Sequence, residues 1–473
     1  MIDTYFLDYN EAHKVASQQN RPVPHMLQVC YYAGDKMETD LVNLIHLPFE
    51  SFVHSLGEGV YRLPRQINLD GLNLSNDVKE DIVLNFKNAL EQAKRLRHEF
   101  NKNYLIALQN TKLDFSEKLR FYIPANSSTQ VMQYVSKNIA DELIKRGYEV
   151  FFDMSYGMYD PECKRNLLVF NPHAIININY FNSFLFSKDL FYFVWFQDSM
   201  PLLTNNQPIN LKDRDYIFSY HKIFTDLLLK KGVDKNKIFK YDIIPVDTNQ
   251  FYLDETIKKE DKIIFVGSYY ADVDYIDTHK DIHNDIMEVI ENGDTLSSET
   301  LIEIFAKKKV DVSDKPTFIN RVQQAYVRTA CVSWISQNTS KEVEVYGSNW
   351  KQSKNDNIID KFKGKAEKDD LNRIYNSAKY VLSASASAIN TQRLGELVHS
   401  GAIPVVYDCR DLTHEENTWD DECLYFKTQD ELNYILDNNI KPKKYMSKEM
   451  LEHFTYDEFM NIIFEQINKK TKK

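Results

Sequence analysis

Between positions 390 and 407 the chain reads NTQRLGELVHSGAIPVVY, and no other stretch limits its possible folds as tightly. A polar loop leads into a two-turn helix from about Thr391, Gly401 lies at the helix C-terminus, and the apolar run after it reads as a buried strand. The segments upstream repeat this alternation. Residues 343–347 form a β-branched strand, 361–366 contain a glycine turn, 371–378 fit a short amphipathic helix, and 380–383 are an apolar strand entering a serine-rich loop. Strand, turn, helix, strand, polar loop, helix, strand describes an α/β domain with a doubly wound parallel sheet, whose ligand site lies at the carboxyl ends of the strands.

Asn390, Thr391, Gln392 and Arg393 gather at the start of that helix, where unpaired N–H groups and the helix dipole favour an anion, a diphosphate above all. Read alone, the same residues also fit an ordinary N-cap, and Glu396 a solvated helix position. Arg393 has its own chemical case, since a guanidinium grips phosphate oxygens as a fork.

A second alternating pattern begins at Arg120. RFYIPA is a strand, NSSTQ a turn, VMQYVSKNIADELIKRG an amphipathic helix closed by Gly147, and YEVFF the next strand. Asn126, Ser127 and Ser128 stand where a dinucleotide fold carries glycines. With only 13 glycines and neither GxGxxG nor GxxxxGK, the chain disfavours dinucleotide and P-loop chemistry. Strands follow at 174–178 and 191–196, the second leading into Gln197, Asp198 and Ser199, and a strand–helix–strand run ends near Pro245 and Asp247. The charged linker DETIKKEDK separates this domain, 118–255, from another, 256–445, whose first strand, 262–266, is followed by Gly267 and Ser268. The helical stretch 276–338 exceeds a single crossover and reads as an insertion. Residues 1–117 lack the alternation and form an N-terminal, mainly helical extension. Its helix at 81–104 carries an apolar stripe that serves either a core or a partner.

A net charge of -11 speaks against a nucleic-acid surface. Five scattered cysteines without a CxxC pair indicate neither disulfides nor zinc, which fits a reducing compartment. The start MIDTYFLDYNEAHK has no signal-peptide pattern, and the most apolar run, 180–196, is broken by Lys188 and Asp189 and too short to span a bilayer. A cytoplasmic protein follows, in at most peripheral contact with the inner face of a membrane.

The run GKAEKDDLNRIYNSAKYVLSASASAINTQRLGELVHSGAIPVVYD, 364–408, resembles the donor-binding half of glycosyltransferases built from two Rossmann-like domains facing a cleft, the GT-B type. It is most similar to the bacterial spore-maturation-protein-like, group 1 enzymes, and the likeness extends over about 120–445. The resemblance implies transfer of a hexose or N-acetylhexosamine from a nucleotide diphosphate sugar, UDP- or GDP-linked, to a hydroxyl on a glycan, lipid-linked or protein acceptor of the bacterial surface, without a cofactor. It places Glu396 on the ribose, Asn390, Thr391, Gln392 and Arg393 on the diphosphate, Gly364, Lys365 and Ala366 on the base, and Ser268 at the donor-side strand end. It also implies that residues 446–473 end in a helix, 456–468, packing back on the first domain. Many relatives carry an Arg and a Lys after the strand that here precedes GSYYADVDYID, which has neither, so Arg393 and Lys365 would take that duty.

An inverting transferase needs a base at a strand's carboxyl end. Asp198 is the first candidate and Asp153 the second, with His173 and His221 weaker; a retaining enzyme needs none. Asp272 and Asp274 spell a DxD, but two acids so spaced are expected by chance in this chain, and the reading is metal-independent. Two rivals stand beside it: a nucleotide-sugar epimerase of the same fold, and a non-catalytic scaffold binding or oligomerising through 1–117.

Overall fold

The computed structural model describes residues 3–19, 28–41, 43–125, 130–154, 161–198, 200–205, 207–273, 279–313, 315–366, 368–413, 415 and 417–471. The chain forms two compact units. One comprises Met1–Ser219, Ile223–Phe239 and Ile463–Lys473, and the other Tyr220–Lys222 and Lys240–Ile462.

The first unit holds two parallel sheets. Strands β1 (Thr4–Phe6), β2 (Cys30–Tyr32), β3 (Leu44–His46) and β4 (Gln66–Asn68) form a four-stranded sheet in the order β3-β2-β1-β4. Beside the helices expected of the extension there is therefore a sheet that the sequence pattern does not announce. The long helix Asn76–Asn110 covers it, burying Phe86, Ala89 and Ala93 against Tyr5, Tyr31 and Phe52. The C-terminal end of the same helix delivers Leu105 and Leu108 to the core of the second sheet. The buried part of its apolar stripe is core, while Leu84 and Ile106 stay exposed. Arg97 on this helix pairs with Glu162, their side chains only 12% and 10% exposed, and donates to the carbonyls of Leu56 and Tyr61 at 2.8 and 3.2 Å. One helix thus ties the extension to the adjoining α/β sheet.

That second sheet comprises β5 (Arg120–Pro124), β6 (Glu149–Asp153), β7 (Ala174–Ile178), β8 (Phe191–Phe196), β9 (Asp215–Ser219) and β10 (Ile238–Lys240) in the order β10-β9-β8-β7-β5-β6. All residues of β7, β8 and β9 are buried, as expected of central parallel strands covered on both faces. The closing helix Asp457–Thr471 supplies Phe464 to this unit, stacked on Tyr148 with ring centroids 4.8 Å apart and edge-on to Phe121.

The second unit is built on β11 (Glu260–Val266), β12 (Glu342–Tyr346), β13 (Phe362–Gly364), β14 (Ala378–Ser383), β15 (Ile403–Tyr407) and β16 (Leu424–Phe426), all parallel, in the order β13-β12-β11-β14-β15-β16. Both Rossmann-like sheets of the expected architecture are present. Strand order reverses between β11 and β14, the kind of switch point outside which doubly wound sheets bind ligands. Three helices, Lys280–Glu291, Ser298–Lys307 and Pro316–Gln337, fill the long connection from β11 to β12.

Candidate functional site

The loops leaving β11 and β14 define the site. After β11 the chain turns at Gly267, whose N–H donates to Tyr346 at 2.9 Å and whose carbonyl accepts the Trp350 indole N–H at 2.6 Å. Gly347 presses against this turn at φ 139°, and its N–H donates to Gly364 at 3.0 Å. Gly364 is itself at φ 111°, Lys365 is exposed and Ala366 half-buried, which puts the three residues expected at the base at the end of β13 and on the loop that leaves it.

The loop after β14 runs into the helix Gln392–His399. Thr391 is its N-cap, its hydroxyl accepting the Leu394 N–H at 3.2 Å, and its carbonyl takes the Gly395 N–H at 3.3 Å. The amides of Gln392 and Arg393 are then the open donors of the first turn. Asn390 is spoken for: buried, it donates to the Asn417 carbonyl at 3.0 Å and accepts the Trp419 indole N–H at 2.7 Å. The N–H groups of Ile389 and Asn390 are held by the carboxylate of Glu415, at 2.7 and 3.1 Å. Burial pushes that carboxyl up to about 7 against the opposing effect of these hydrogen bonds.

Glu396, one turn in and only 7% exposed, accepts the Tyr375 hydroxyl at 3.2 Å on one oxygen and the Gln392 amide at 3.0 Å on the other. Arg393 lies beside both. Burial lowers its proton affinity, but Tyr375 and Glu396 more than offset this and the guanidinium is held above its ordinary value. Its Nη1 is sealed from solvent and meets no acceptor among the described residues. Thr391, Gln392, Arg393 and Glu396 therefore form one cluster, while the side chain of Asn390 braces the loop beneath it.

Arg328, on the helix Pro316–Gln337, reaches this switch point although the sequence reading passed over it. Its Nη1 donates to the Ser268 carbonyl at 2.9 Å, and its guanidinium lies 4.6 Å from the centre of the Tyr270 ring. Its Nε is buried without an acceptor among the described residues. A signal was available: Arg328 is the only cation between Arg321 and Lys341, in a run rich in apolar and small residues.

In the first unit the two candidate bases have different settings. Asp198 is exposed at the carboxyl end of β8 and held by Asn179, which donates to its Oδ2 at 2.8 Å and accepts the N–H groups of Gln197 and Asp198 at 2.7 and 3.1 Å. Asp153 is 6% exposed and accepts the Tyr122 hydroxyl and the Asn166 amide, a structural network at the end of β6. His173 is fully buried; its Nδ1 accepts the Arg120 N–H at 3.0 Å and its Nε2 meets the Asp114 carbonyl at 2.8 Å, a packed and satisfied core residue. Asn126, Ser127, Ser128, Ser199, Asp274 and Asp277, and the side chain of Asp272, lie outside the described residues. Among the described residues all five cysteines are buried thiols, and no helix is long and apolar enough to cross a membrane.

Residues 328–462 match the family described as glycosyl transferase-like. No curated protein matches the chain. Distantly similar solved structures include sucrose-phosphate synthase from Thermosynechococcus elongatus, 10% identical with a TM-score of 0.44, covering 75% of this chain and 100% of that one. The lipopolysaccharide outer core galactosyltransferase WaaB is 12% identical, TM-score 0.42, over 75% and 100% of the two chains. AviGT4, a glycosyltransferase involved in avilamycin A biosynthesis, is 14% identical, TM-score 0.41, over 74% and 96%.

Proposed function

We propose that this chain, a glycosyltransferase by the family of its residues 328–462, moves a hexose or N-acetylhexosamine from a uridine or guanosine diphosphate sugar to an acceptor hydroxyl of a surface glycan, lipid or protein precursor. The observation that carries the donor assignment is the Glu396–Tyr375–Arg393 cluster at the start of a helix on the switch point of the second unit's sheet. Glu396, a buried carboxylate one turn into the helix, serves the ribose hydroxyls. The open amides of Gln392 and Arg393, with the Arg393 guanidinium, suit the diphosphate, whose charge grows as the glycosidic bond breaks. Backbone groups of Gly364, Lys365 and Ala366 serve the base. Asp198 is the proposed general base toward the acceptor, since it is exposed and oriented by Asn179. The reaction is proposed to need no metal and to take place in the cytoplasm, at or near the inner face of the membrane.

Thermal stabilisation by a panel of nucleotides and nucleotide sugars tests this reading. A ligand at 100 times its Kd adds about 2.7 kcal/mol. The expected result is a response to one uridine or guanosine diphosphate sugar that Glu396→Ala and Arg393→Ala abolish. An unmodified protein that responds to nothing in the panel overturns the donor assignment. Release of free nucleotide only on addition of acceptor separates transfer from epimerisation.

A further inference from the structure

We infer that Arg328 of the inserted helix and Arg393 form a two-guanidinium clasp for the donor diphosphate, supplying from a different element the cationic charge that the loop after β11 lacks. The assignment rests on the donor-site reading above and extends it to a residue and a segment outside the pattern that first identified the site.

Three observations converge on it. Gly267, Ser268, Tyr269, Tyr270, Ala271 and Asp272, the residues that follow β11, contain no cation. Arg328 is delivered to that loop by two anchors, its own bond to the Ser268 carbonyl at 2.9 Å and its face-on contact with Tyr270 at 4.6 Å. One turn earlier on the helix, Gln324 accepts the Ala386 N–H at 3.1 Å and donates to the Ser387 hydroxyl at 3.1 Å. The helix is thus fastened to both loops at the switch point, the one leaving β11 and the one leaving β14.

The electrostatics of the pair point the same way. Burial lowers the proton affinity of Arg328, Tyr270 opposes this, and the Arg393 charge lowers it further. Arg328 Nε and Arg393 Nη1 are both sealed from solvent without an acceptor among the described residues. Glu396 offsets the Arg393 charge, and a bound anion would offset that of Arg328 and take up the unused N–H of each. Fork-shaped donors of this kind fit the oxygens of a diphosphate better than a single phosphate could satisfy them.

Titration calorimetry of the full chain tests the clasp with inorganic pyrophosphate and with matched nucleoside mono- and diphosphates of uridine and guanosine. The unmodified protein should bind pyrophosphate and prefer the diphosphate nucleotide to the monophosphate. Arg328→Gln should weaken pyrophosphate tenfold or more and erase most of that preference, while monophosphate binding changes little. Arg328→Lys, which keeps the charge without the fork, should recover part of the loss and guards against a folding defect. Unchanged pyrophosphate binding in Arg328→Gln overturns the clasp, as does an equal weakening of mono- and diphosphate, which marks a structural role. If pyrophosphate binds through Arg328 but no nucleotide does, the clasp survives as an anion site and the donor reading alone falls.

Discussion

Replacing Gly347 with alanine tests the construction of the site at its tightest backbone crossing. A Cβ built there overlaps the Gly267 carbonyl oxygen and lies 2.5 Å from the carbonyl carbon and 3.1 Å from the Ser268 nitrogen. Ordinary carbon contacts are about 3.5–4.0 Å, so the two backbone segments must part by about 1 Å. Because the obstructing atoms are backbone, no side-chain rotation relieves the clash. Overpacking of this kind costs about 1–3 kcal/mol, and placing a Cβ at φ 139° adds about 1–3 kcal/mol more. The total, about 2–6 kcal/mol, moves a urea midpoint by roughly 1–3 M at a slope near 2 kcal/mol/M.

Trp350 reports on this locus, being fully buried with its indole N–H on the Gly267 carbonyl. Of the four tryptophans only Trp195 belongs to the first unit, so a Trp195→Phe background confines fluorescence to the second. Urea unfolding in that background should show the Gly347→Ala midpoint lowered by about 1 M or more. Pyrophosphate binding should weaken as well, because Ser268, which anchors Arg328, follows directly in the displaced segment. A midpoint within a few tenths of a molar of the parent, together with intact anion binding, would refute the reasoning.

Three further outcomes are expected. The Glu415 carboxyl is raised from 4.5 to about 7 by burial, so the folded state holds its proton more tightly; its contribution favours folding below about pH 4.5 and is lost as pH climbs toward 7. Glu415→Gln should flatten that part of the stability–pH profile, by on the order of 3 kcal/mol across the window, and an unchanged slope counts against the assignment. Arg97→Ala removes the largely buried ion pair to Glu162 together with the bonds to the Leu56 and Tyr61 carbonyls and should destabilise the first unit by about 3–5 kcal/mol in urea unfolding followed through Trp195, whereas a cost under about 1 kcal/mol means the pair is not the tie it looks. Asn179→Ala removes three hydrogen bonds around Asp198 and should lower transfer rate far more than donor affinity; equal losses in both would remove Asp198 from its proposed role.

What could be read from the residues depended on how far each signal is carried by neighbours in sequence. The helix start at Thr391 was legible because an N-cap, an amphipathic turn and a terminal glycine are all local, and the structure begins the helix at Gln392 with Thr391 as cap. The strands of the second unit were legible for the same reason, as apolar runs between turn residues. The sheet of the extension was not. Its strands TYF, CYY, LIH and QIN are three residues each, too short for the two-residue alternation to register, and their parallel pairing joins positions far apart in the chain. Spacing also could not separate Asp198 from Asp153. Both follow apolar strands, and only the fold reveals that one faces solvent while the other answers Tyr122 and Asn166.

Arg328 escaped for a deeper reason than distance in sequence. A motif records which residues recur at one place on a fold, whereas a phosphate site demands positive charge at a point in space and is indifferent to the strand or helix that brings it there. The loop after β11 ends without a cation, and the inserted helix passes over that loop, bonded to it at Ser268 and to its neighbour at Ala386 and Ser387. A clasp cation carried by an added element would couple donor binding to the seating of that element, which a strand-end arginine would not do. On the proposed clasp the insertion is part of the donor site's own frame, and a shift of the helix Pro316–Gln337 along its axis should alter phosphate affinity.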